Sequence, residues 1–264
     1  MSVTVDSHVH VVSHDRARFP LSPPGVGSRW FEEHPVDVDE FTRESATAGV
    51  GRAVLVQAVG AYGADNSYVL HAAATAPDRF AAVVVLASDD DHLDARIEEC
   101  CSSPGFGGVR IFAIGDHAPN PLDHVGTRRI FEIARARGFP IVVATLPHGL
   151  DPLAHLLREF PDVPVALDHC GFVPAPVLTP FAVHPNLHLK VTAHVLEGAV
   201  DPALVVEALV ERFGAARLAW GSDYPQVDDH TYPELVALGR AACAGLTEND
   251  RAQVLGGTAS ALWR

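Results

Sequence analysis

Lysine is all but missing from this 264-residue chain: Lys190 is the only one, and arginine supplies every other basic side chain. Asp and Glu together number 33 against 19 Lys and Arg, for a formal charge of −14. That balance leaves no basic surface for nucleic acid or for an anionic membrane face. It does not exclude an anionic substrate, because a pocket can carry its own arginines. No apolar run approaches the ~20 residues of a membrane span, and no apolar stretch follows a basic start. The four cysteines (Cys100, Cys101, Cys170, Cys243) form no C-x-x-C or other zinc spacing, and they suit a reducing cytosol as small buried hydrophobes. The expectation is a cytoplasmic protein acting on a small molecule, with no nucleic acid or membrane partner, as a monomer or a homo-oligomer.

What the chain does have is apolar residue content, 48%, enough for a large core. Eight apolar strands alternate with helices along it. The strands are expected over 4–10, 53–57, 80–86, 108–112, 140–144, 163–169, 187–192 and 217–220. Their hydrophobicity is continuous rather than alternating, which means burial on both faces and hence parallel pairing. Helices are expected over 38–48, with Asp37 as N-cap, and over 91–101, 127–137, 152–160 and 202–213. Another begins near Tyr232, and one over 248–263 closes the chain. Eight such units in about this length predict an α/β fold, a (β/α)8 TIM barrel in a single domain over residues 1–264. Residues 11–36, rich in Pro, Gly and Ser, are long for a connector and read as a lid that includes Trp30.

In such a barrel the active site lies at the C-terminal ends of the strands. The first strand ends in Asp6-Ser7-His8-Val9-His10, and the two-residue period of a strand points both imidazoles the same way. With 15 His in the chain, about one such spacing is expected by chance, so the pair alone decides nothing. The other strand ends carry more. Strand four holds Arg110, and strand five is followed by Thr145 and His148. Strand six ends in Asp168-His169, strand seven holds Lys190 and Thr192, and strand eight runs into Asp223. Titratable groups at so many apolar strand ends are hard to explain as packing, since each would be costly in a core without a partner.

Asp6-Ser7-His8-Val9-His10, Leu167-Asp168-His169-Cys170-Gly171 and Trp220-Gly221-Ser222-Asp223-Tyr224-Pro225 together resemble the amidohydrolase superfamily. More narrowly they resemble its amidohydrolase-related branch of lactone hydrolases, which includes 2-pyrone-4,6-dicarboxylate lactonase and sugar lactonases. Val56-Gln57-Ala58, Gly63-Ala64-Asp65-Asn66 and Gly108-Val109-Arg110 are similar to the pyrone-dicarboxylate side of that branch. The resemblance implies a hydrolase that opens a lactone, with Asp223 as general base and His8, His10 and His169 polarising the carbonyl. It further implies that Arg110 orients a substrate carboxylate, while Tyr62, Asn66, Trp30 and His148 line the substrate pocket.

Departures from the family pattern limit the metal. The sole lysine stands on strand seven, where it cannot bridge two ions, so at most one divalent ion such as Zn2+ is expected. His8, His10, His148, His169 and Asp223 are its candidate ligands, and metal-independent action is the alternative. The basic residue that the pyrone-dicarboxylate pattern places soon after strand four is replaced by Ala113-Ile114-Gly115-Asp116-His117. Two rival functions stand beside lactone opening: a metal-dependent decarboxylase, and a barrel that binds a metabolite without turnover.

Overall fold

The computed structural model describes residues 3–25, 29–115, 118, 120–227 and 230–264. Asp116 and His117 lie outside the described residues. Eight strands are present: β1 (Val5–Val9), β2 (Arg52–Val56), β3 (Phe80–Val85), β4 (Phe106–Ala113), β5 (Ile141–Thr145), β6 (Val165–Leu167), β7 (Leu187–Thr192) and β8 (Leu218–Gly221). They pair in parallel in sequence order. β8 returns to β1, where the Asp223 amide donates to the His8 carbonyl and the His10 amide to that of Tyr224, both at 2.8 Å. The result is a (β/α)8 barrel, and the seam that closes it joins the two segments bearing His8, His10 and Asp223.

The apolar runs sort themselves by the two-residue period of a strand. Leu55, Val84, Val143, Leu167, Leu189 and Trp220 face the surrounding helices in one large core. Their strand neighbours Val54, Val56, Val83, Val142, Ala166 and Ala219 form a second cluster, which fills the lumen. Trp263, from the closing helical segment, joins that inner cluster. It sits near the strand N-termini, with its carbonyl accepting from Arg52. Small aliphatic side chains therefore occupy the lower lumen. The layer above is charged and is described below.

Helix starts follow the capping chemistry in the sequence. Asp37 caps Val38–Thr47 by accepting from the Glu40 amide at 2.8 Å. Thr231 and Glu234 form a capping box at the head of Tyr232–Ala242. Among the described residues no helix is long and apolar enough to cross a membrane.

Two local departures bear on the site. β6 is shorter than the expected 163–169, because Asp168 and His169 leave the strand in a tight turn. His169, Cys170, Gly171 and Phe172 take φ of 52°, 51°, 65° and 55°, four consecutive left-handed residues of which only one is glycine. The left-handed region costs a non-glycine residue about 1 kcal/mol or more, and such outliers concentrate at functional sites. Asp223, with φ 60°, is another. The second departure is an irregular register between Asp6 and Val9, which lets Asp6 turn outward. There Asp6 accepts from the Ser222 amide at 2.9 Å and from the Tyr232 hydroxyl at 3.1 Å. Burial pushes its carboxyl up to about 6 against the pull of these donors.

Gly221 is needed by close approach rather than by its φ. A Cβ there would lie 2.8 Å from the His8 Cβ and 3.0 Å from the His8 amide nitrogen. Gly221→Ala should therefore push β8 away from β1 at the level of the site. The expected cost is about 1–3 kcal/mol of stability, as for other overpacked positions. Denaturant unfolding measures it, and wild-type stability in this variant would show that the seam has slack.

Candidate active site

Charge at the top of the lumen is organised by Asp168, which is fully buried. Its Oδ2 accepts from Arg110 Nε at 2.8 Å, and its Oδ1 lies 3.1 Å from both Lys190 Nζ and His8 Nδ1. Burial opposes its ionisation. Lys190, His8 and Arg110 outweigh that and hold the carboxyl well below the usual range. The only lysine of the chain is thus spent on a carboxylate inside the barrel, with its ammonium 5.1 Å from the centre of the Trp263 ring.

This arrangement decides the tautomer of His8. Burial lowers its pKa well below the ordinary value, so the ring is neutral at pH 7. An ionised Asp168 can only accept, and at 3.1 Å it lies nearer to Nδ1 than the Lys190 ammonium at 3.4 Å, so the proton sits on Nδ1 and the lone pair on Nε2. His10 is fixed in the same sense, with its Nδ1 2.9 Å from the Val56 carbonyl oxygen, another pure acceptor. His8 Nε2 and His10 Nε2 face each other at 3.3 Å. Asp223 Oδ1 lies 3.3 Å from the first and 3.4 Å from the second. Asp223 is fully buried, and its carboxylate is met by imidazole nitrogens rather than by backbone donors.

Two imidazole nitrogens and a buried carboxylate oxygen converging within 3.4 Å of one another form an arrangement that a cation completes. Imidazoles whose far nitrogens are held by a carboxylate and a backbone carbonyl are the usual supports of a metal ligand. His169 joins them from the left-handed turn, and His8, His169 and Asp223 each bring one ligand atom within 4.8 Å of the others. Its Nδ1 lies 2.7 Å from Thr192 Oγ1. Burial lowers its pKa to about 4, which keeps the ring neutral. The donor set fits a single divalent ion such as zinc.

His194 completes the ring from the short helix Ala193–Glu197, with Nε2 2.9 Å from Asp223 Oδ2. The pairing with Asp223 raises its pKa, and its side chain is 38% exposed, so it links the buried carboxylate to solvent. Burial works against ionisation of Asp223, but the surrounding imidazoles, His169 first, hold its carboxyl well below the usual range. A cavity of about 450 Å3 opens above this centre, lined by His10, Trp30, Arg110, His169, Phe172 and Gln226 among others. The Trp30 ring stands 5.6 Å from that of His10.

The structure thus brings together His8, His10, His169 and Asp223, and it places Arg110 and Trp30 in the same cavity. Three other expected pocket residues stand elsewhere. The Tyr62 hydroxyl accepts from the Ser13 amide at 2.9 Å, pinning the loop after β1 from outside the cavity. Asn66 spends its amide on backbone, donating to Ala64 and Val85 carbonyls and accepting from the Val85 amide. His148 is exposed and lines a separate cleft with Thr145, Leu122 and Pro152, so it is not a ligand beside His8. One participant escaped the sequence reading: His194 lies two residues beyond Thr192, where the reading of strand seven ends. Asp168 stands among the expected strand-end groups, but without a role of its own.

The profile of the amidohydrolase family matches residues 5–264, nearly the whole chain. The chain belongs to the amidohydrolase family. Within the range of this amidohydrolase's relatives is the L-fucono-1,5-lactonase of Burkholderia ambifaria. It is 26% identical over 285 residues, covering 100% of this chain and 96% of that protein. Among solved structures, a candidate 2-pyrone-4,6-dicarboxylic acid hydrolase from Pseudomonas putida superimposes with a TM-score of 0.80 at 23% identity, over 99% of this chain and 97% of its own. An amidohydrolase from Burkholderia multivorans, solved with bound zinc, gives a TM-score of 0.80 at 20% identity over 99% of each chain.

Proposed function

We propose that this amidohydrolase opens a lactone by attack of water, with Asp223 as the base. One observation carries the reading: a fully buried carboxylate stands among four imidazoles beneath an open cavity, and one of those imidazoles, His194, links it to solvent. The relatedness to an L-fucono-1,5-lactonase supports the reaction class.

Asp223, ionised at neutral pH, takes a proton from water as the oxygen bonds to the carbonyl carbon. The ring C–O bond then breaks, and the departing ring oxygen takes a proton back from the Asp223 and His194 pair. An ion bound by His8, His10, His169 and Asp223 would supply electrophilic polarisation of the carbonyl and would acidify water. Neutral His8 cannot donate a hydrogen bond to the carbonyl oxygen, because its proton is committed to Asp168. Arg110 is held through Nε by Asp168, so the rest of its guanidinium is free to orient a substrate carboxylate at the cavity wall. Trp30 lines the same cavity beside His10.

A panel of lactones and unsaturated carboxylic acids, watched for acid release and for carbon dioxide, tests the reading alongside elemental analysis. The expected result is acid release from lactones by protein carrying about one divalent ion. Carbon dioxide from the unsaturated acids would assign a decarboxylase instead, and an inert panel with tight ligand binding would assign a metabolite-binding barrel. On the same panel Arg110→Met should raise KM for carboxylated lactones by tenfold or more, as expected for a lost charge-assisted contact of about 1.5–3 kcal/mol. Neutral lactones should be much less affected. Equal effects on both would leave Arg110 with only its ion pair to Asp168.

A further inference from the structure

A second cavity, of about 550 Å3, adjoins the same centre at His169 and His194. Its walls come from the residues after the left-handed turn and from two helices, Ala193–Glu197 and Pro202–Phe213. Val173, Ala175, Val195, Leu204, Val205 and Leu209 line it, with Pro174 and Pro176 at the turn. The polar side chains that reach it are His169 and His194, both of the reacting centre. His169 and Phe172 line both cavities, so the two adjoin at these side chains, and we refer to them as the two arms of the site. The arms differ in chemistry. One holds the Arg110 guanidinium and Gln226, the other presents aliphatic side chains. Leu204 is left 61% exposed and Phe172 42% exposed on this face. Aliphatic walls with a few convergent polar groups at one end are the common form of a small-molecule site, and the volume lies within the usual range.

We propose that this second arm is the subsite for an apolar substituent, so that the substrates are lactones whose ring carries an alkyl or aryl side chain. The proposal rests on the lactone-opening reading for the reaction itself. The bond changes are those already given: water delivers its oxygen to the acyl carbon and a proton to the ring oxygen, and the side chain takes no part. A sugar lactone would leave the aliphatic walls facing hydroxyl groups. An alkyl lactone removes those walls from water, and each methylene buried is expected to raise kcat/KM about two- to fourfold.

Two series test this on the full-length, metal-loaded protein. In the first, kcat/KM is measured for γ-butyrolactone, γ-hexanolactone, γ-octanolactone and γ-decanolactone. In the second, titration calorimetry follows the binding of straight-chain carboxylates from acetate to octanoate, which needs no turnover. Both should climb with chain length in the wild type. Both should flatten in Ala208→Phe, which fills the arm, and in Leu204→Glu, which charges an already exposed position. Rising carboxylate affinity without hydrolysis of any lactone would keep the apolar subsite and overturn the lactone-opening reading. Turnover of the unsubstituted ring with both series flat would do the reverse. A flat series combined with a dimer in sedimentation that Leu204→Glu dissociates would give this face to a second copy of the chain and overturn the proposal.

Discussion

Asp223→Asn should lower kcat by about 10²–10⁴-fold while leaving the barrel folded, since that is the usual contribution of a positioned general base. The substitution keeps the size of the side chain and removes its basicity and its charge. The fold should survive because Asp223 is bound to the barrel by its backbone, through the amide that donates to His8. Its carboxylate contacts only imidazoles of the site, and Asn keeps an oxygen that can still accept from His194. Metal content in the variant should fall as well, because one anionic ligand has gone. A folded Asn variant with near wild-type turnover would make Asp223 structural and move the search for the base to His169 and His194.

Asp168→Asn should give the largest loss of stability of any single exchange in the site, about 3–5 kcal/mol, the usual cost of leaving buried charge without its counter-ion. Lys190 and Arg110 would both lose their carboxylate, and Lys190 is fully buried. The same change loosens His8, whose Nδ1 proton would no longer face a charged acceptor, so metal affinity should drop together with stability. Lys190→Met on the Asp168→Asn background should restore part of the lost stability, because it removes one stranded cation. The folded carboxyl is held well below its ordinary value, so its stabilisation is present above the unfolded pKa. It is lost only as the pH falls through the folded value. The gap between wild type and variant should therefore stay constant from neutral pH down to about 4 and narrow below it. Chemical denaturation across that range measures it, and a gap that narrows already between pH 7 and 5 would contradict the assignment of Asp168 as an ionised hub.

The barrel was readable because its strands are buried on both faces and so appear as uninterrupted runs such as Phe80-Ala-Ala-Val-Val-Val85. The converging residues were readable because strand ends share one face of a barrel whatever the loops do. Loop residues carry no such constraint. Tyr62, Asn66 and His148 have suitable chemistry, but backbone amides and carbonyls that the sequence does not place claim the first two, and the third faces solvent. Asp168 needed a different kind of information. Arg110, Lys190 and His8 reach it from β4, β7 and β1, so its partners are set by the closure of the barrel rather than by spacing along the chain. The strain in the turn after β6 was equally hidden, since only Gly171 in His169-Cys170-Gly171-Phe172 announces left-handed backbone. That turn sets the direction of His169 and, with it, the point where the two arms of the site adjoin.

The central claim is that water adds to a lactone carbonyl at Asp223, and oxygen tracing tests it most directly. An alkyl γ-lactone is incubated with the metal-loaded protein in 18O-labelled water, and the products are examined by mass spectrometry. The account predicts an open-chain hydroxy acid with one heavy oxygen in its carboxylate, none in its hydroxyl, and no carbon dioxide, all abolished in Asp223→Asn. Label in the hydroxyl group, or product formation undiminished in the Asn variant, would contradict it.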